Sequence, residues 1–236
     1  MAILVLMRHG RTTANASGTL AGWTPGIGLD DVGAEQAKRV AKRLRGTRLT
    51  MAALSPLQRC QETGEMVLRQ QEFQVETRTV EGIGEAKYGA WTGRPLKDLS
   101  QESLWKDVQS APSTVTYPPS DDFENESMSA MQQRAVAAIK SADAEVEKAA
   151  GPGGVWLAVS HGDVIKAILA DAVGTSLDDF QRIMVDPASV SIIRYTQDRS
   201  YVVRMNDTGS DEIDLQGLSK AASTEQDAAV GGGAGH

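Results

Sequence analysis

The sequence of 236 residues contains a single cysteine, Cys60, so the chain cannot form an internal disulfide. A chain without disulfides suits a reducing compartment. The N-terminal apolar run ends after Met7 at Arg8, which makes it too short for a signal-peptide core and far too short to cross a membrane. These absences favour a cytoplasmic protein without a membrane partner.

Positive charge is not in excess either. Lysine and arginine number 24 against 31 acidic residues, which gives a formal net charge of −7. From Asp207 onward six acids face only Lys220, so the rest of the chain carries about −2. Without a basic patch there is no electrostatic footprint for nucleic acid or for an anionic membrane. The sequence also lacks the phosphate-loop, dinucleotide and H-E-x-x-H zinc patterns, which disfavours nucleotide cofactors and catalytic zinc.

Periodic apolar residues are absent from the last thirty residues, 207–236, which are acidic and end in GGGAGH. Such a composition cannot bury enough apolar surface to offset the entropy that is lost on ordering. We therefore expect one domain over residues 1–206 and a disordered acidic, glycine-rich tail over residues 207–236. A domain of this length can bury a substantial core.

Short apolar runs alternate with amphipathic segments along the predicted domain. Strands are predicted at five of these runs: 3–7, 51–55, 155–160, 189–195 and 200–205. Helices are predicted over residues 32–45, 128–146 and 162–173. A further helix is predicted to begin after Ser55, which would be its N-cap. This alternation predicts an α/β fold, a three-layer α/β/α sandwich around a mostly parallel central sheet.

Four of the eight prolines, together with four glycines, lie in residues 78–125. We interpret this stretch as a cap-like insertion over one end of the domain, with one short helix near 97–108. Loops of this length are usually functional, so the insertion is expected to form much of a substrate pocket.

Polar side chains follow three of the predicted strands. Arg8 and His9 come directly after the first strand, and His161 follows the third. Arg59 lies in the first turn of the helix after the second strand. Taken singly, His161 and Arg59 also fit structural roles. Because ligands bind outside the carboxyl ends of parallel strands, the four side chains can share one pocket, and two arginines with two imidazoles favour a phosphate.

Four stretches resemble a known family and occur in its order along the chain. LMRHGRTTAN resembles the nucleophile motif of the histidine phosphatase superfamily, also called the phosphoglycerate-mutase-like family, and SPLQRCQET resembles its second arginine motif. GEAKYGAWTG is similar to its acid/base loop, and VSHG to its second histidine motif. The longer matches YGAWTGR, HGDVIKAILAD and DPASVS look most like an actinobacterial branch described as acid phosphatases or probable phosphomutases.

The resemblance implies a role for each motif residue. His9 would be the nucleophile that becomes a phosphohistidine, and Glu85 would be the general acid and then the base. Arg8, Arg59 and His161 would bind the phosphoryl oxygens, so no metal is implied. Phosphate or substrate contacts are assigned to Thr12, Asn15, Gly22, Tyr88 and Gly162.

Two side-chain assignments stay open at this point. Tyr88 and Trp91 either pack against a substrate or anchor the loop that carries Glu85. Cys60, next to Arg59, is either a reactive thiol of low pKa or an inert buried residue.

Three functions are compatible with these residues. The first is a metal-independent phosphomonoester hydrolase that acts on a small phosphorylated metabolite. The second is a phosphoglycerate mutase or other phosphomutase, which alone would require 2,3-bisphosphoglycerate. The third is a non-catalytic protein that binds a phosphorylated ligand. Mutases of this family use extra basic residues in the part of the insertion that follows the acid/base loop. This chain has Lys97 and Lys106 there but no paired arginines, and it then turns acidic, which favours hydrolysis. The resemblance leaves a homo-oligomer open.

Overall fold

The apolar runs of the sequence form a central sheet in the computed structural model, which describes residues 2–209 and 230–232. The strands are β1 Ile3–Arg8, β2 Leu49–Leu54, β3 Glu76–Thr79, β4 Val155–Ser160, β5 Val190–Tyr195 and β6 Ser200–Asp207. They lie in the order β3-β2-β4-β1-β5-β6. The first four are parallel to one another, and β5 runs antiparallel to β1 and β6.

Helices connect and cover the strands. The α-helices are α1 Thr13–Ala16, α2 Asp31–Leu44, α3 Gln58–Leu68, α4 Leu96–Leu99, α5 Ser103–Ser110, α6 Met128–Ala150 and α7 Gly162–Val173. Short 3₁₀ helices lie at Glu81–Ile83, Gly89–Trp91, Pro112–Thr114, Leu177–Arg182 and Val230–Gly232.

The sheet separates two apolar cores. Leu4 and Leu6 of β1 point into the core shared with α6 and α7, whereas Val5 and Met7 point into the core shared with α2 and α3. This alternation follows from the two-residue period of a strand, and burial on both faces explains why the strand is apolar throughout. The predicted three-layer α/β/α sandwich is confirmed.

The residues from 76 to 127 differ from the prediction in two respects. Strand β3 is not predicted, because it lies at the sheet edge and its four residues are exposed, so it carries no apolar pattern. The insertion contains two short helices, α4 and α5, where one is predicted. Its large side chains Tyr88, Trp91 and Tyr117 are buried in the core shared with α6 and α7, so the insertion packs on the domain.

Parts of the predicted tail are described. Asp207 ends β6 and pairs with Arg43 of α2. Val230 is buried, in a short turn that ends at Gly232. The prediction of disorder does not hold for these residues. The rest of the predicted tail lies outside the described residues. No helix in the two described ranges combines the length and apolar character that a membrane crossing requires.

Candidate active site

The two histidines meet because the strands that carry them are parallel neighbours. Arg8 at the end of β1 is in register with Ser160 at the end of β4, and the His9 backbone N–H donates to the Ser160 carbonyl at 3.0 Å. His9 and His161 are the residues that directly follow these two strands. Their ring centroids are 5.2 Å apart in an edge-to-face arrangement.

His9 has the geometry of a nitrogen nucleophile. Its Nδ1 lies 2.7 Å from the carbonyl oxygen of Gly10. Because a carbonyl oxygen only accepts, Nδ1 carries the ring hydrogen, which leaves the lone pair on Nε2 in the neutral ring. Burial lowers the pKa of His9 well below its usual value, and the charges of Arg59 and Arg8 lower it further. The ring is therefore neutral at pH 7, with Nε2 available to attack.

His161 is oriented by a residue to which the sequence assigned another role. Ser55 follows β2, and its Oγ lies 2.7 Å from Nε2 of His161, while Nδ1 of the same ring is 3.5 Å from Oε2 of Glu85. The prediction that Ser55 caps the next helix is wrong. Helix α3 begins at Gln58, and Leu57 at the cap position makes no side-chain bond to it. The hydroxyl is directed instead toward the imidazole.

The two predicted arginines are buried and fixed by main-chain carbonyls. Arg59 Nη2 donates to the Gly22 carbonyl at 2.9 Å, and Arg8 Nη1 donates to the Val185 carbonyl at 2.8 Å. The neutral Gly22 carbonyl orients the guanidinium group of Arg59 without cancelling its charge. The only carboxylate oxygen near Arg59 in the described chain is Oε2 of Glu85, at 3.5 Å. The site is therefore built to receive an anion.

The carboxyl group of Glu85 completes the ring of polar groups. Its Oε1 accepts from the Ala86 backbone N–H at 3.0 Å, and its Oε2 is directed toward Arg59 and His161. Burial raises its pKa to about 7, against the opposing effect of Arg59. Glu85 can therefore exchange a proton near neutral pH.

The loop that carries Glu85 is held by Arg134 of α6, which the sequence analysis missed. Its Nη1 donates to the carbonyls of Gly82 and Gly84, and its Nη2 donates to that of Glu85 at 2.9 Å. Glu126 receives the remaining bonds of the guanidinium group. This network fixes the main chain on both sides of the carboxyl group, which no local pattern around residue 134 could reveal.

A cavity beside His9 contains part of the predicted binding set. Its wall is formed by His9, Thr12, Asn15, Thr19, Leu20, Ala21, Arg59, Glu85, Leu96, Val230 and Gly231. Thr12 and Asn15 bond to each other in the first turn of α1. Gly22, Tyr88 and Gly162, which are also predicted to contact phosphate or substrate, are not among the residues that line the cavity. Tyr88 anchors the loop, because it is fully buried beneath Glu85.

Val230 and Gly231, from the second described part of the tail, form one side of this cavity. The Gly231 carbonyl accepts from Arg8 Nη2 at 3.1 Å, and the Gly231 N–H donates to Oδ2 of Asp163 at 2.8 Å. Val230 is buried in the core shared with α6 and α7, and Leu20 and Tyr88 lie next to Gly231. The volume left open in the cavity is about 20 Å³, room for about one or two water molecules. Residues 230–231 thus occupy space next to the guanidinium group of Arg8.

Other cations near the motifs have carboxylate partners. Three such pairs are Arg11 with Asp30, Lys87 with Glu124, and Arg94 with Glu102. Cys60 is buried against His161, and burial raises the pKa of its thiol to about 12. Of the two interpretations, the inert one therefore describes Cys60.

The family follows from a match that spans most of the chain. Residues 4–208 match the model of the histidine phosphatase superfamily, branch 1. The chain belongs to the histidine phosphatase superfamily. Its relatives in this superfamily are phosphatases and mutases, so this histidine phosphatase is an enzyme.

Individual relatives agree with the family in fold and differ in reaction. The adenosylcobalamin/alpha-ribazole phosphatase of Escherichia coli K12 is 34% identical over 99 residues, which are 42% of this chain and 47% of the relative. The 2,3-bisphosphoglycerate-dependent phosphoglycerate mutase of Thermoplasma acidophilum is 24% identical over 193 residues, 82% and 87% of the two chains. The structure of Bacillus stearothermophilus YhfR superposes with a TM-score of 0.75 at 27% identity, covering 88% of this chain and 98% of that one.

Proposed function

We propose that this histidine phosphatase hydrolyses small phosphate monoesters through a phosphohistidine at His9, without a metal ion. One observation carries the proposal. A neutral imidazole with a free Nε2 lies in a cavity that also presents a buried arginine and a carboxyl group of raised pKa. These three groups can attack phosphorus, neutralise the phosphoryl charge and protonate a leaving oxygen.

The first step transfers the phosphoryl group to the enzyme. Nε2 of His9 attacks phosphorus, the bond between phosphorus and the ester oxygen breaks, and Glu85 gives its proton to the departing alcohol. Arg8, Arg59 and His161 donate hydrogen bonds to the non-bridging oxygens, where negative charge is concentrated in the transition state. The positive charge that this step needs comes from the two guanidinium groups.

The second step releases phosphate. A water molecule enters the place of the alcohol, Glu85 as a carboxylate takes one of its protons, and the oxygen attacks phosphorus. The bond between phosphorus and Nε2 of His9 breaks, which returns a neutral imidazole and a protonated Glu85. Both groups are then in their starting states.

The cavity wall favours hydrolysis over a mutase reaction. A mutase must hold two phosphate groups, yet the outer wall consists of neutral side chains, among them Thr19, Leu20 and Leu96. Lys87 and Arg94, two cations of the insertion, are not among the lining residues and pair with carboxylates. The mutase remains the second candidate because a relative that aligns with most of the chain carries that name.

Phosphate release without metal tests the proposal. Wild-type enzyme in EDTA is expected to release phosphate from p-nitrophenyl phosphate and to form a phosphoprotein that is stable in alkali and labile in acid. His9→Ala should lose turnover by at least ~10³-fold, because nucleophilic catalysis is removed. Arg69→Ala, an exposed arginine at the far end of α3 from Arg59, serves as the control.

The same preparation separates the alternatives. Conversion of 3-phosphoglycerate that depends on 2,3-bisphosphoglycerate would favour the mutase. Binding of phosphate esters without turnover would favour the non-catalytic protein. Full activity of His9→Ala, or activity that EDTA removes, would contradict the proposed mechanism.

A further inference from the structure

Asp163 is a buried charged residue to which the proposed mechanism gives no role. Asp163 is the second residue of α7 and its side chain is fully buried. A buried carboxylate is unfavourable unless other groups hold it. Its Oδ2 accepts from the Tyr88 hydroxyl at 3.0 Å and from the Gly231 N–H at 2.8 Å, and Lys166 Nζ lies 3.8 Å from its Oδ1.

The Tyr88 hydroxyl lies between Asp163 and Glu85. It is 3.0 Å from Oδ2 of Asp163 and 3.3 Å from Oε1 of Glu85. A phenol has one hydrogen, so it can donate to only one of two carboxylates at a time. The Asp163 contact is shorter, and Oε1 is the oxygen of Glu85 on the side away from Arg59 and His161.

We propose that Asp163 is a positioning residue that acts on the general acid Glu85 through Tyr88. This inference rests on the proposed function. By accepting the Tyr88 hydrogen, Asp163 leaves Oε1 of Glu85 facing the lone pairs of the phenol oxygen. The ionised form of Glu85 then keeps the Ala86 N–H at Oε1 but lacks the Tyr88 hydrogen as a second donor, so the neutral form, which the first step consumes, is favoured.

The surrounding charges show why such a residue is needed. Arg59 and Arg8 stabilise ionised Glu85, and they are indispensable for binding phosphate. Burial and the negative charge of Asp163 act in the opposite direction, and together they raise the pKa of Glu85 to about 7. The other titratable or charged groups that face Glu85, Tyr88 or Asp163 are His9, His161, Tyr117, Arg134 and Lys166.

The pH dependence of kcat/KM tests the proposal. For wild type we expect a bell-shaped pH profile. Its acid limb comes from protonation of His9, and its alkaline limb comes from ionisation of Glu85. Asp163→Asn removes the charge, and its amide can donate to the Tyr88 oxygen, which turns the Tyr88 hydrogen toward Glu85. The alkaline limb should move to a pH about one unit lower than in wild type. On the acid side, kcat/KM should stay within about threefold of the wild-type value.

A double-mutant cycle tests whether Tyr88 carries the effect. In the Tyr88→Phe background, Asp163→Asn should shift the alkaline limb by less than half of the shift that it produces in the wild-type background. Tyr88→Phe alone should leave the limb in place, because the lost hydrogen faces Asp163. Tyr117→Phe is the matched control, since this buried hydroxyl packs on Tyr88 and bonds to no polar group in the described chain.

Each outcome decides for or against the proposal. An alkaline limb that Asp163→Asn does not move, or moves equally in both backgrounds, overturns the action through Tyr88. If Asp163→Asn does not fold, Tyr88→Phe decides alone, because an upward shift of about one unit would mean that Tyr88 donates to Glu85. A wild type without phosphatase activity would instead refute the proposed function.

Discussion

At the residue scale, the site is defined by which nitrogen of each imidazole carries hydrogen. The Gly10 carbonyl fixes Nδ1–H on His9. On His161 the corresponding partner is the Ser55 hydroxyl at Nε2. If this hydroxyl donates, the hydrogen of neutral His161 is on Nδ1, on the side of Glu85, where it can bond a phosphoryl oxygen.

Ser55→Ala tests this assignment. Without the hydroxyl the hydrogen can move to Nε2, and we expect kcat to fall about tenfold, the equivalent of one hydrogen bond. Ser189→Ala is the matched control, because Ser189 is also buried and its hydroxyl has no polar partner among the described residues. Equal activity of the two variants, measured with p-nitrophenyl phosphate, would show that Ser55 does not orient the imidazole.

Sequence reasoning finds some site residues and misses others for a physical reason. Arg8, His9 and His161 could be predicted because they follow apolar strands whose ends meet at one edge of the sheet. Glu85 lies in a loop without periodicity, so only the family motif indicates it. Asp163 carries a weak signal, because it is one of three charged residues in a largely apolar helix.

Ser55 and Arg134 could not be predicted to serve the site. Their partners are separated from them by 106 and by 49 to 52 residues. A local pattern around Ser55 equally describes a helix cap, and only the packing of β2 beside β4 decides between the two roles. Long-range hydrogen bonds of this kind are set by the tertiary structure.

At the element scale, the buried strands and amphipathic helices are the best predicted parts. Their periods follow from burial on one or two faces, and the α/β class follows from their order. The edge strand β3 and the turn Val230–Gly232 lack such a period. Val230 is one apolar residue beside glycines, and its burial depends on a cavity that other elements form.

Removal of this turn is expected to increase activity. A chain that ends at residue 229 should show a several-fold lower KM with an unchanged kcat, because Gly231 no longer contacts Arg8 and the cavity is open. Gly231→Ala provides a second variant. Gly231 has φ +73°, where a side chain is strained, and a Cβ would lie 3.0 Å from Leu20.

The KM of the two variants for p-nitrophenyl phosphate, compared with wild type, measures the effect. An unchanged KM in both would show that residues 230–231 do not compete with substrate. A fall in kcat would indicate that the turn takes part in the reaction.

At the scale of the whole molecule, the site reduces stability over a defined pH range. Glu85 has a folded-state pKa of about 7 against 4.5 for the exposed group. Around these pH values the folded state therefore binds more protons than the unfolded state. The contribution of Glu85 to the unfolding free energy is fully present below pH 4.5 and is lost as the pH rises through about 7. A shift of this size corresponds to roughly 3 kcal/mol of unfolding free energy.

Glu85→Gln makes this loss measurable, because glutamine stays neutral. The unfolding free energy of Glu85→Gln minus that of wild type should rise by about 3 kcal/mol between pH 4.5 and 8. The histidines are present in both proteins, so their effect cancels in the difference. Denaturant titrations at a series of pH values provide the data, with the exposed Glu72→Gln as control. A difference independent of pH would contradict the raised pKa.

The turn at Val230–Gly232 also has a consequence for selectivity. If the KM measurements show that it competes with substrate, it does so at a fixed effective concentration that dilution of the enzyme does not change, because it is part of the same chain. The apparent affinity of every ligand that needs the open cavity would then fall by the same factor. The turn would set how much substrate the enzyme needs, and the cavity wall would set the ranking among substrates.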